Sequence, residues 1–194
     1  MQYRLSRTGA ATARAVDLDA VKRHLRIDWD EDDAQLLDLI AAATEWVEVS
    51  TGRSLVTTTW RLDIAEFASI ELPQPPFIDI NYVEYMDTAG ELQTLDDASY
   101  RVESDSFGPA CLSFVGELPS VMADRGNAVQ VSYTAGYGES AAAVPANARH
   151  ALLLLIAHWW ENREAVGTVG GHIEAGLSSL LRTLKTGFVA GHGV

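Results

Sequence analysis

Residues Val144 to Ala165 read VPANARHALLLLIAHWWENREA, the strongest long apolar segment of the chain. Pro145 suits a first helical turn, where its missing N–H would be unpaired anyway, and the alanines and leucines after it favour helix. From Pro145 to Glu164 such a helix runs about 30 Å at 1.5 Å per residue, enough to cross a small domain. Leu152, Leu155 and Trp159 fall on one face, and Leu153, Leu154, Ile156, Ala157 and Trp160 fill most of the remaining circumference. The helix is therefore expected to be buried nearly all round. Burying its Leu/Ile side chains and tryptophans is worth on the order of 10 to 20 kcal/mol gross, before chain entropy is subtracted. It does not read as a membrane span: the unbroken run Ala151 to Ile156 is short, His158 interrupts the apolar pattern beyond it, and a span needs about 20 apolar residues.

Two helical segments stand near the N-terminus. In the first, over 17–26, Asp17 is placed as N-cap, Leu18, Val21 and Leu25 share a face, and Lys22, Arg23 and Arg26 take the solvent side. In the second, over 31–51, Asp30 is the N-cap, acids crowd the positive end of the helix dipole, Gly52 is the stop, and Leu36, Ile40, Ala43 and Val47 form the stripe. Between about 56 and 135 the period changes to two. Val56 to Ile64, Ile78 to Met86, Leu92 to Leu95, Tyr100 to Val102, Leu112 to Val115 and Val129 to Tyr133 read as strands. A turn at Asp87 to Gly90 makes the second and third a hairpin, and Pro73, Pro75 and Pro76 exclude a central strand after Leu72.

The segregation of helices from strands predicts an α+β fold, with N- and C-terminal helices forming a bundle and a small antiparallel β module inserted between them. The expected parts are a mobile N-terminal arm over 1–15, a main domain over 16–166 closed by the helix at 145–164, and a C-terminal helix and tail over 167–194. In that last part Gly167, Gly170, Gly171 and Gly176 loosen the backbone. Leu177, Leu180, Leu181 and Leu184 then mark a helix that ends at Gly187.

A net charge of −13 is spread unevenly: residues 1–27 carry six Lys/Arg against two acids, whereas 28–51 carry eight acids and no base. Such a balance argues against a general nucleic-acid binder, which needs a basic stripe to displace counterions from phosphates. The lone Cys111 precludes an intramolecular disulfide framework, and the first fifteen residues lack the apolar core of a secretory signal, so a cytoplasmic product is expected.

The residues offer little chemistry. His158 and Glu161 share a helical face, yet a di-metal bundle needs a second such pair, and Glu45 and Glu48 alone do not supply it. Gly167 to Gly171 lacks the strand and the Lys-Ser/Thr of a phosphate loop, and no G-x-S-x-G elbow occurs. Cys111 reads as a small apolar strand residue. The acidic run Asp28 to Asp33 lacks the central Gly and terminal Glu of a calcium loop and reads as helix capping plus a solvated face. The five tryptophans read as core. No catalytic residue, cofactor site or metal site is assigned.

Several blocks together resemble the head-tail connector, or adaptor, proteins of tailed phages, prophages and gene transfer agents. They are DLDAVKRHLRID, EDDAQLLDLIAAATEWVEVSTGRSLVTTTWRL, PQPPFIDINYVEYMDTAGELQTL with SYRV after it, AVQVSYTAGYG and VPANARHALLLLIAHWWENREAV. The resemblance covers roughly Val16 to Val166 and is most specific in TGR-x-L-x-x-x-TW and in the AGYG-to-HWWENRE block, which are folding signatures. It implies a structural protein that is not an enzyme and has no cofactor. Its subunits would form a dodecameric ring beneath the portal protein, extend the DNA channel without specific DNA binding, and receive a stopper or tail-completion protein. Assembly would take place in the bacterial cytoplasm, away from any membrane, and the end point would be the head-tail interface of the particle. Another virion part, such as a tail-completion protein, and a small hydrolase or ligand-binding enzyme are the alternatives. By the same resemblance the C-terminal segment is expected to dock the portal through Leu177, Leu180, Leu181, Arg182, Leu184, Lys185 and Phe188.

Overall fold

The computed structural model describes residues 3–105, 108–123, 125–162 and 171–185. The α+β class holds: four α-helices and eight strands, all antiparallel, occur among these residues. They divide into two compact units, one built from residues 1–11 and 57–136, the other from 12–56 and 137–194.

The first unit holds the strands. A five-stranded sheet runs in the order β1 (Arg4–Arg7), β2 (Thr58–Ile64), β8 (Val129–Ala135), β4 (Phe77–Met86), β5 (Leu92–Thr94). A three-stranded sheet runs β3 (Ile70–Leu72), β7 (Ala110–Phe114), β6 (Tyr100–Glu103). Alternation along the strands turns Leu62, Ile64, Val83, Val129, Val131 and Tyr133 into one core with Leu72 and Leu112 of the smaller sheet. Three proline residues come soon after Leu72, and β3 is accordingly an edge strand, where no ladder donor is lost. The Asp87 turn joins β4 to β5: its Oδ1 accepts from the N–H groups of Ala89 and Glu91, and these bonds hold its carboxyl below the usual range.

One expectation is corrected here. Residues 1–15 do not form a free arm throughout, because Arg4–Arg7 pair with Trp60–Asp63 as the edge strand of the larger sheet. Four residues without apolar periodicity carry little signal; the paired backbone, Leu5 against the core and Arg7 over the Trp60 ring at 5.2 Å supply the stabilisation.

The second unit holds α1 (Leu18–Leu25), α2 (Asp33–Thr51), α3 (Ala146–Glu161) and α4 (Gly171–Leu181). The expected stripe Leu36, Ile40, Ala43 and Val47 is fully buried, and it shares one core with Val21, Leu152, Leu155, Ile156, Leu177 and Leu181. Two corrections concern α3 and α4. Helix α3 is buried on one face only, since Leu153, Leu154, Ala157, Trp159 and Trp160 keep part of their surface in solvent. Helix α4 starts at Gly171 and runs through Gly176, so those two glycines are helical and do not loosen the chain. A helical glycine costs about 1 kcal/mol relative to alanine, which burial of Leu177 and Leu181 more than offsets. Gly167, Gly170, Gly187 and Phe188 lie outside the described residues.

Candidate interaction site

The TGR-x-L block after α2 is assembled around one residue, Glu48. Its carbonyl oxygen accepts from the backbone N–H groups of Gly52, at 2.8 Å, and Arg53, at 3.2 Å. Its carboxylate Oε1 accepts from the N–H of Leu55 at 2.8 Å. Gly52 takes a left-handed conformation (φ 68°), which a side chain would resist, and Thr51 bonds back to the Val47 carbonyl at 2.7 Å. The bonds to Glu48 and the left-handed Gly52 turn the chain out of the helix.

Arg53, buried by this turn, directs its guanidinium Nε–H at the carbonyl of Leu184, beyond the end of α4. Asn147, in the first turn of α3, donates to the Leu180 carbonyl at 3.3 Å and to Thr183 Oγ1 at 3.0 Å. Helix C-termini leave their last carbonyls unpaired, and here side chains from two other elements take them. The residues expected at a docking surface are therefore divided. Leu177, Leu181 and Leu184 are buried in the core of their own unit and Leu180 is half-buried against it, whereas Arg182 and Lys185 are exposed.

The acidic run is organised as well. Lys22, expected on the solvent side, bridges Asp30 at 2.5 Å and Asp33 at 2.8 Å, and these hydrogen bonds raise its pKa to about 12. Asp17 and Asp32 occupy the N-cap positions of α1 and α2 without a side-chain capping bond. Asp32 instead accepts the indole N–H of Trp29 at 2.8 Å. Trp29 is 46% exposed, against its expected place in the core, and the other four tryptophans are half-buried. Sequence pattern had no means of singling it out, because one tryptophan in a loop has no periodicity.

Among the described residues no three His, Cys, Asp or Glu side chains come together in a metal-binding group. His158 meets Asn162 at 3.1 Å, and Cys111 lies half-buried in β7 with Ser113 Oγ 3.9 Å from its sulfur. No described helix is long and apolar enough to cross a membrane.

Residues 15–82, the stretch that contains the acidic loop, α2 and the Glu48 junction, match the phage gp6-like head-tail connector protein family. Over that stretch the chain is similar to head-tail connector proteins. The resemblance read from its sequence blocks is borne out. Solved structures agree along nearly the whole length. A chain from the neck of an empty gene transfer agent particle, computed with C6 symmetry, superposes with a TM-score of 0.80 at 24% identity, covering 97% of this chain and 98% of that one. A chain from the virion of a native gene transfer agent particle gives 0.78 at 24%, covering 96% and 97%. One from the neck of a native particle, computed with C12 symmetry, gives 0.72 at 25%, covering 97% and 98%. No curated protein matches.

Proposed function

We propose that this connector chain is a structural subunit of the neck of a phage or phage-like particle, arranged as a ring under the portal, where it lengthens the DNA channel and joins capsid to tail. The observation that carries the reading is the likeness to neck chains over at least 97% of both partners in two of the three superpositions, which leaves little of the chain for another task. In this reading the four-helix unit is the body and the β unit an insertion into it. The chain contributes contacts and no catalytic step; its partners are the portal protein, neighbouring copies and a stopper or tail-completion protein. Assembly takes place in the bacterial cytoplasm before the neck is closed. The net charge of −13 supports passage of DNA without retention, since like charges do not hold a phosphate backbone.

Docking on the portal through the C-terminal segment is part of this proposal, with Arg182, Lys185 and Phe188 as the residues that meet the partner. Leu177, Leu180, Leu181 and Leu184 set the position of that surface from beneath. The test is removal of the gene from a producing cell. The expected result is DNA-filled heads that lack tails, restored by the gene supplied in trans; tailed particles formed without the protein would overturn the proposal.

A further inference from the structure

The five-stranded sheet of the β unit ends in two strands that each have a neighbour on one side only, β1 and β5. On its outer side each presents backbone N–H and C=O groups with no strand to join among the described residues, the form in which a sheet accepts another strand. Neither strand contains a proline. Tyr3, just before β1, is 52% exposed, and all of Leu92–Thr94 in β5 is exposed, Leu92 by 50%.

The two edges differ in charge. Residues 1–11 carry Arg4 and Arg7, both exposed, and no acid; residues 84–97 carry Glu84, Asp87, Glu91, Asp96 and Asp97 and no base. Asp87 is engaged by its turn, and Asp96 and Asp97 accept local bonds from the Ala98 N–H and the Tyr100 hydroxyl, but Glu91, Asp96 and Asp97 all remain exposed. Two copies meeting β1 to β1 or β5 to β5 set like charges together, which destabilises a strand pair, whereas β1 against β5 sets opposite charges together. The other edges of the unit are poorer. The outer side of β4 beyond β5 is broken by register shifts between Phe77 and Asp79 and between Ile80 and Tyr82, β3 is followed by prolines, and β6 carries Arg101 and Glu103, one of each sign.

Direction follows from the strand count. Every pairing in this sheet is antiparallel, so β1 and β5, at its first and fifth places, run the same way. Neighbours in a many-membered ring are related by a small rotation and keep that direction, which makes the joint parallel, with Arg4 at the Glu91 end and Arg7 at the Asp96 end.

We propose that β1 of one copy pairs in parallel with β5 of the next, carrying the sheet from subunit to subunit around the ring. The inference rests on the ring reading above. It supplies the two different, complementary faces that a closed cycle needs on each subunit, and it uses strand addition to an open edge.

The test uses full chains with Cys111→Ser as background, supplied to a producing cell that lacks the gene. Ser6→Cys and Thr94→Cys are placed in one chain. Within a copy these positions lie four strand spacings apart, about 19 Å at roughly 4.8 Å each, too far for a disulfide, which needs Cα atoms within about 7 Å. Oxidation of purified tailed particles is expected to give a ladder of covalent trimers and longer products, while either cysteine alone gives only monomer. Arg4→Glu should reduce the number of tailed particles about fivefold, the worth of one opposite-charge pair across strands, and adding Glu91→Arg to the same chain should restore it. Particles that hold the chain in the neck but give no ladder, dimers from a single cysteine, or failure of the second charge change to restore the first would overturn this contact and leave the ring reading standing. Particles without the chain in the neck would remove the ring reading and the contact with it.

Discussion

Arg53 donates its Nε–H to the carbonyl of Leu184, joining positions 131 residues apart and tying the turn after α2 to the end of α4. Both partners are buried, so the bond cannot be exchanged for one to water when it is lost. Arg53→Ala is therefore expected to lower stability by about 1–3 kcal/mol, the cost of a charged donor's bond and an orphaned carbonyl. Denaturant unfolding measures it, and a change below about 0.5 kcal/mol would refute the clamp.

Gly176 lies inside α4 with nothing within 4 Å of the position a Cβ would occupy. Gly176→Ala should add about 0.5–1 kcal/mol and raise the melting temperature by roughly 1–4 °C. A drop on thermal unfolding would mean that this glycine is not an ordinary helical residue.

The half-exposed state of Trp159 separates it from Leu155, which is fully buried. Leu155→Ala should cost about 2–5 kcal/mol, and Trp159→Ala should fall well short of the roughly 3–5 kcal/mol of a buried tryptophan. Equal losses in the two variants would contradict the one-sided burial of α3.

These contrasts show what the residues announce and what they leave silent. The stripe Leu36, Ile40, Ala43 and Val47, the β4–β5 hairpin and the alternation of β8 are legible because burial imposes a period. Which side of α3 faces solvent is not legible, since Leu153 and Leu154 are as apolar as Leu152 and Leu155; only the placing of α2 and α4 decides. Strand β1 is silent because its order comes from backbone pairing with a distant segment. The Glu48–Arg53 junction is visible as a TGR motif, although its contact with Leu184 depends on tertiary structure. Trp29 is silent as well, because a single loop residue carries no period.

Alkaline pH should weaken the fold in a defined window. Hydrogen bonds from Asp30 and Asp33 raise Lys22 from 10.5 to about 12, and burial of the Tyr133 hydroxyl, which donates to the Pro73 carbonyl, raises its pKa above 10.0. In both cases the folded state holds its proton more tightly than the unfolded one. The associated stabilisation is complete below about pH 10 and is lost as pH climbs through the raised values. Melting temperatures measured from about pH 9 to 12 should fall progressively, and a flat profile would contradict the two environments.

The most direct test of the connector assignment is cryo-microscopy of purified particles, with the chain's own density sought in the neck. The prediction is a closed ring of this fold between portal and tail, its four-helix and β units both recognisable in every subunit. Particles whose neck lacks the chain, or that carry it elsewhere in the virion, would contradict the assignment.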